Sequence, residues 1–348
     1  MEKSKSDIFE IIKDYHCDEC KPLELTDIST WIEQFDETDR SFVLEEFLHL
    51  LRQGIYVSKE KALELLWNNF TFVANKLGYN GDLRTFIYES HFFNVQKEGK
   101  SQTVLFSMLD TLVENNTGIK LNANGGLKVK NFIYIDDVVA TGKTLLGTLR
   151  SWLAENDNSN AKSVVIGDYK LIVTVFCMHQ WALDNLRWSL KSTFKDDTFL
   201  KIPFVKCNYL IDNRVLYPSA QLNLILPIKD QSKIVLDYFE AIEAENYADR
   251  AFRKSGRPIK ETFFSSSENR DRFEKIILEK GVKILNKVVS KKASNRPLGA
   301  TYPHYKTLGT GTLFFTWRNI SNTCPLVFWW DNPAHGWKCL FPLKGRGN

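Results

Sequence analysis

The 348-residue sequence predicts an α/β fold: a mostly parallel sheet flanked by helices, with a helical N-terminal segment and an α+β C-terminal extension. Three observations carry this. Asn131 to Arg150 reads strand, loop, helix, because Phe132 to Ile135 is a short apolar run and Leu145, Leu146 and Leu149 recur at helical spacing. The same order occurs upstream, where Phe92 to Gln96 leads through a glycine-containing loop into Val104, Leu105, Met108, Leu109 and Leu112 on one helix face. Downstream, Leu171 to Cys177 is an unbroken apolar strand of the buried type, followed by a helix with Trp181, Leu183 and Leu186. Strands alternating with helices build a parallel sheet, with ligands at the carboxyl ends of its strands.

Taken in order, the elements fall into three parts: residues 1-80, a helical N-terminal segment; 81-230, the α/β core; and 231-348, a helical and β extension completing the site. Residues 1 to 21 are polar and hold His16-Cys17-Asp18-Glu19-Cys20, a lone C-x-x-C without the second pair that a zinc site needs. They read as a tail or first helix. Ile28, Trp31, Ile32 and Phe35 then follow a helical period, as do Phe42, Val43, Phe47, Leu50 and Leu51, and Leu63 to Leu77 before Gly78. Asn115 to Lys130 offers little that could pack. Phe204 to Leu210 reads as a further strand. Ser232 to Ala248 and Glu268 to Ser290 read as amphipathic helices, and Arg250 to Lys260 between them as an exposed, mobile basic loop.

The chemistry concentrates where the apolar run Phe132 to Ile135 ends. Asp136 and Asp137 are acceptors suited to the donating hydroxyls of a sugar. Ala140, Thr141, Gly142, Lys143 and Thr144 form a small-residue turn into a helix N-terminus, where unpaired amides and the dipole favour a phosphate. The competing reading of Gly142-Lys143-Thr144, a nucleotide-triphosphate P-loop, is disfavoured because its earlier glycine position holds Asp137. Gly99, Lys100 and Ser101 form a second loop before a helix and suit a second anionic group. Near the C-terminus, Arg318, Asn319 and Asn322 stand between apolar strands beside tryptophans, as buried anchors or as the lining of a pocket.

The run from Asp136 to Thr144 resembles the phosphoribosyl diphosphate (PRPP) signature of type I phosphoribosyltransferases: an apolar strand, two acids, two apolar residues, a small residue, then Thr-Gly-x-Thr. The resemblance implies a phosphoribosyltransferase-type sheet. It implies that Asp136 and Asp137 are the catalytic pair, holding the ribose hydroxyls and Mg²⁺. The turn Ala140 to Thr144 would take the 5-phosphate, and Gly99, Lys100 and Ser101 the pyrophosphate. Many members carry a long mobile flap between these loops; here the interval is short. The tail Asn319-x-x-Asn322-Thr323-x-Pro325-Leu326-x-x-Trp329-Trp330 extends the likeness to the phosphoribosyltransferase-like proteins of bacterial conflict systems, some encoded beside retron reverse transcriptases. That implies an antiphage effector or regulator, bound to a reverse transcriptase with its non-coding nucleic acid, or oligomeric. A non-catalytic, nucleotide-sensing or nucleic-acid-associated module of the same fold is the alternative.

Composition bounds these expectations. Hydrophobic content of 43% and charged content of 25% are those of a globular protein. No apolar run reaches the ~20 residues that span a bilayer, so no membrane and a cytoplasmic location are expected. Six scattered cysteines do not make a disulfide scaffold, and a net charge of +4 is too small by itself to imply nucleic-acid binding.

Overall fold

Apolar residues at helical spacing build the start of the chain, and a β-rich run closes against them. A computed structural model describes residues 1–18, 22–242, 248–289, 292–301 and 307–343. Backbone contacts divide the chain into two units, residues 60–210 and residues 1–59 with 211–348. The N-terminal residues expected to be a tail or first helix form α1 (Glu2–Ile12), whose Ile8 and Ile12 are buried. Helices α2 (Leu25–Glu33) and α3 (Glu37–Leu50) follow, then the short strand β1 (Tyr56–Val57). Trp31 is fully buried on α2, as its spacing predicts, and its indole donates to the Val327 carbonyl.

The unit of residues 60–210 is the parallel-sheet unit. Its elements are α4 (Lys59–Lys76), α5 (Leu83–Tyr88), β2 (Ser90–Phe92), α6 (Ser101–Thr117), β3 (Asn131–Val139), α7 (Lys143–Leu153), α8 (Glu155–Ile166), β4 (Lys170–His179), α9 (Gln180–Phe194) and β5 (Phe204–Ile211). The four strands lie side by side in the order β2-β3-β4-β5, all parallel. The β3–β4 ladder runs from Asn131 opposite Lys170 to Val139 opposite Met178.

Strand alternation sends Ile133 and Ile135 to one face, where Leu66, Phe70 and Val73 of α4, Phe86 of α5 and Leu109 of α6 gather with them. Tyr134, Val173 and Val175 turn to the other face, against Leu145, Leu149 and Leu153 of α7, Val164 of α8, and Leu186 and Leu190 of α9. Each such side chain, fully buried, contributes about 1.5–3 kcal/mol. Helix α4 belongs with the sheet for this reason, although its sequence reads like the helices before it.

Helix α8 occupies a stretch whose composition reads as a polar loop. It opens on three left-handed residues, Asn156, Asp157 and Asn158 (φ 47°, 55° and 62°), a conformation these residue types tolerate. Ala161 and Val164 are its buried anchors.

The other unit resumes with α10 (Lys233–Ala241), α11 (Ala248–Ala251) and α12 (Ser267–Asn286), then strands β6 (Phe315–Thr316) and β7 (Asn319–Ile320) and α13 (Leu326–Trp329). Strand β6 pairs in parallel with β1 and antiparallel with β7. Most C-terminal aromatics are core: Trp317 is 2% exposed, and the Trp329 and Trp337 indoles donate to the carbonyls of Cys324 and Val327. The backbone is tight here. A Cβ on Gly311, whose φ is +68°, would fall 2.1 Å from the Ile225 carbonyl oxygen. Cys20, residues 243–247 and Ser290, on which part of the expected C-x-x-C and helix ends fall, lie outside the described residues.

The exposed basic loop expected over Arg250 to Lys260 is corrected at Arg253. Its side chain is buried, pairs with Asp271 and with Glu274 Oε2 (3.1 Å), and donates through Nη1 to the Arg257 carbonyl (2.7 Å). Glu274 also accepts from Arg270 Nη1 (3.2 Å) and from the Leu226 amide (3.0 Å). Arg270 forks onto Glu261, whose Oε1 takes the amides of Thr262, Phe263 and Phe264. Burial pushes the Glu274 carboxyl above its ordinary range, and the two guanidiniums pull it back. Of the other cations in this stretch, Arg250, Lys254 and Lys260 are exposed and Arg257 is half-buried.

Removing one partner from such a network leaves an uncompensated buried charge. Arg270→Ala is expected to cost about 3–5 kcal/mol in urea denaturation, against well under 1 kcal/mol for the exposed Lys254→Ala.

Candidate functional site

Two consecutive βα turns of the parallel sheet meet at the carboxyl ends of β2 and β3. Strand β3 runs through both acids to Val139, further than the apolar run Phe132 to Ile135 implies, because the β4 ladder accompanies it to Met178. Ala140 and Thr141 form the bend. Gly142 follows at φ +74° as the N-cap of α7, with no side-chain cap on the helix. The turn favours glycine there because its φ is left-handed. Lys143 and Thr144 are exposed in the first turn of α7, beside amides that this helix leaves for a ligand.

The second loop, Lys97 to Lys100, is equally open. Gly99 is left-handed (φ +77°), the Lys100 amide closes a turn onto the Lys97 carbonyl (3.1 Å), and Lys100 is the N-cap of α6, again without a side-chain cap. Lys97, Gly99 and Lys100 are exposed.

Asp136 joins the two loops. It is buried, and each carboxylate oxygen accepts two hydrogen bonds. Oδ1 takes the Ser101 hydroxyl (2.6 Å) and the Asp137 amide (3.0 Å); Oδ2 takes the Tyr134 hydroxyl (2.8 Å) and Gln96 Nε2 (3.1 Å). An ionised carboxylate has about four acceptor sites, so this one is saturated. Burial, and then the neighbouring Asp137 charge, hold the Asp136 carboxyl above the ordinary carboxylate range, while the donated hydrogen bonds pull it down. Asp137 differs. It is half-buried, with Oδ1 accepting from the Val138 amide (2.7 Å).

Of the side chains that satisfy Asp136, Ser101 belongs to the loop that the sequence singles out, whereas Gln96 and Tyr134 carry no motif. Gln96 and Tyr134 hydrogen-bond each other as well (3.3 Å). Gln102, fully buried, uses Oε1 to take the amides of Val95 and Gln96 (2.9 and 3.2 Å), and Thr103 donates to the carbonyls of Gln96 and Lys97. Tyr134 stands two residues before Asp136 on β3 and so on the same face, which is the one signal that could have paired them. At the end of β4, buried His179 is the N-cap of α9, and burial lowers its pKa to about 3, so it stands neutral.

The interval read as a short flap with little to pack is an edge cover. Asn122 takes the Phe92 amide on Oδ1 (2.7 Å) and donates through Nδ2 to the Phe92 carbonyl (3.0 Å). Ile119 and Leu121 are buried, and Gly125 lies so close to the Tyr88 ring that a Cβ would overlap it. These contacts satisfy the outer edge of β2.

Arg318 and Asn319 belong to the other unit, on the β6–β7 hairpin, where both are half-buried and Asn319 Oδ1 accepts the Ile320 amide (3.0 Å). The structure thus brings together Gly99 to Ser101, Asp136, Asp137 and Ala140 to Thr144 within one unit. Among the described residues, no three His, Cys, Asp or Glu side chains cluster to hold a metal ion, and no helix is long and apolar enough to cross a membrane.

Asn122→Gly keeps the left-handed φ of +56° but deletes both bonds to Phe92. It is expected to cost about 1–3 kcal/mol and to speed exchange of the Phe92 amide, read by hydrogen–deuterium exchange.

Comparison with known proteins agrees with this fold. A family model, PRTase-CE, matches residues 28–343. No curated relative and no solved structure matches the chain.

Proposed function

Because the chain belongs to the phosphoribosyltransferase-type family PRTase-CE, we propose that it binds PRPP or a closely related ribose phosphate at the carboxyl ends of β2 and β3. One observation carries the reading: Ser101, in the first turn of uncapped α6, donates to Asp136 on β3, the strand that leads into the uncapped N-terminus of α7. Each N-terminus is a natural anion site, and together they suit a ligand with phosphate groups at both ends. The turn Ala140 to Thr144 takes the 5-phosphate, and Lys97 to Lys100 the diphosphate. Asp137, half-buried between them in sequence and on the same strand end, accepts from the ribose hydroxyls.

Mg²⁺ fits this site in one way. Asp136 has no acceptor site left, so the ion would be held by Asp137 and by the ligand's own phosphates, which is the usual coordination of Mg²⁺. When bound, it would neutralise charge on the diphosphate. The protein's own share is placement: amides and lysines at the anions and a carboxylate at the sugar.

The packed interval 118–130 favours ligand sensing over turnover, because closing a site against water requires a segment that can move. The wider setting, an antiphage effector or regulator held by a reverse transcriptase with its nucleic acid, is supported by the likeness of the C-terminal run around Asn322 and Trp330.

Calorimetric titration with PRPP, with and without Mg²⁺, tests the reading. Wild type is expected to bind, and Asp137→Asn to lose on the order of tenfold or more in affinity, as for a charged hydrogen-bond partner. Absence of binding by the wild type would refute it. Release of labelled pyrophosphate would mark an enzyme; binding without release would mark a sensor.

A further inference from the structure

We propose, building on the PRPP reading, that Asp136 is a positioning residue: it fastens both ends of the Lys97–Lys100 loop and so sets where the diphosphate binds, leaving the ribose to Asp137. The two side chains that reach Asp136 from that region bracket the loop. Gln96 stands immediately before Lys97, and Ser101 immediately after Lys100. Gln96 Nε2 reaches Oδ2 (3.1 Å) and Ser101 Oγ reaches Oδ1 (2.6 Å), so one carboxylate grips the tetrapeptide at both ends.

The grip is braced from every side. Tyr134, two residues back on β3, donates to the same Oδ2 (2.8 Å) and contacts Gln96 (3.3 Å). Gln102 holds the amides of Val95 and Gln96, and Thr103 holds the carbonyls of Gln96 and Lys97. The base of the loop is therefore rigid, whereas its tip, with Lys97, left-handed Gly99 and Lys100, is exposed. An anion loop fixed beforehand loses less conformational entropy on binding. A carboxylate with four protein donors has no acceptor site left for a sugar hydroxyl, which assigns the two adjacent acids different tasks.

Three probes separate those tasks: PRPP, ribose 5-phosphate and inorganic pyrophosphate, each titrated with Mg²⁺ into the full chain. Asp136→Asn puts an amide donor where the carboxylate accepts from donors. It is expected to weaken pyrophosphate and PRPP about tenfold or more while ribose 5-phosphate binding is unchanged. Ser101→Ala deletes one bond and leaves the acid buried with its other donors; it should weaken the same two ligands, and Ser101→Thr, which keeps the hydroxyl, should restore them. Asp137→Asn should show the opposite pattern, weakening ribose 5-phosphate and PRPP but not pyrophosphate.

If Asp136→Asn and Ser101→Ala weakened ribose 5-phosphate as much as pyrophosphate, or left pyrophosphate unaffected, the positioning role would be overturned while the PRPP reading stood. If wild type bound none of the three probes, both would fall. Should Asp136→Asn fail to fold, the Ser101 pair decides the question alone.

Discussion

A carboxylate taken out of water has to be given hydrogen bonds in return, and around Asp136 that requirement arranges the candidate site. An unpaired buried charge costs several kcal/mol or is neutralised instead. Here four donors from Gln96, Ser101, Tyr134 and Asp137 converge on it. Satisfying this one group draws the first turn of α6 to the end of β3. It also fixes the root of the lysine-bearing loop and gives the two adjacent acids different surroundings. Lys97, Gly99 and Lys100 at the tip of one βα turn and Lys143 and Thr144 after the other stay exposed, while the polar groups beneath them are satisfied.

The same requirement is met differently in the other unit. Glu274 and Glu261 are held by Arg253 and Arg270, and the remaining lone pairs go to backbone amides. Guanidinium suits this because its planar fork reaches a carboxylate and several carbonyls at once. A run of cations in sequence therefore does not identify a solvent face: Arg253 is interior, while its neighbour Lys254 is exposed. Any contact with nucleic acid made by this stretch would have to use Lys254, Lys260 and their exposed neighbours.

The edge of the parallel sheet shows a third use of polar side chains. Asn122 supplies to Phe92 the donor and acceptor that a further strand would have supplied. Its left-handed backbone is one that asparagine tolerates. With Ile119 and Leu121 buried and Gly125 against Tyr88, the interval between the two loops is held to the sheet.

Much of this was legible in the residues themselves. Period and apolar runs locate α2, α4, α7, α9, α12, β3 and β4, because burial of one face or of both leaves a local record in the sequence. The run from Asp136 to Thr144 likewise announces a strand, two acids and a glycine turn before a helix. Tertiary structure decided the rest. Whether α4 joins the sheet, whether Arg253 faces water, and whether Asn122 caps a strand all depend on partners distant in the chain, which no local pattern records. The different surroundings of Asp136 and Asp137 are the clearest case. The two are identical in type and adjacent in sequence, and they differ because strand alternation and the donors of Gln96, Ser101 and Tyr134 meet only one of them.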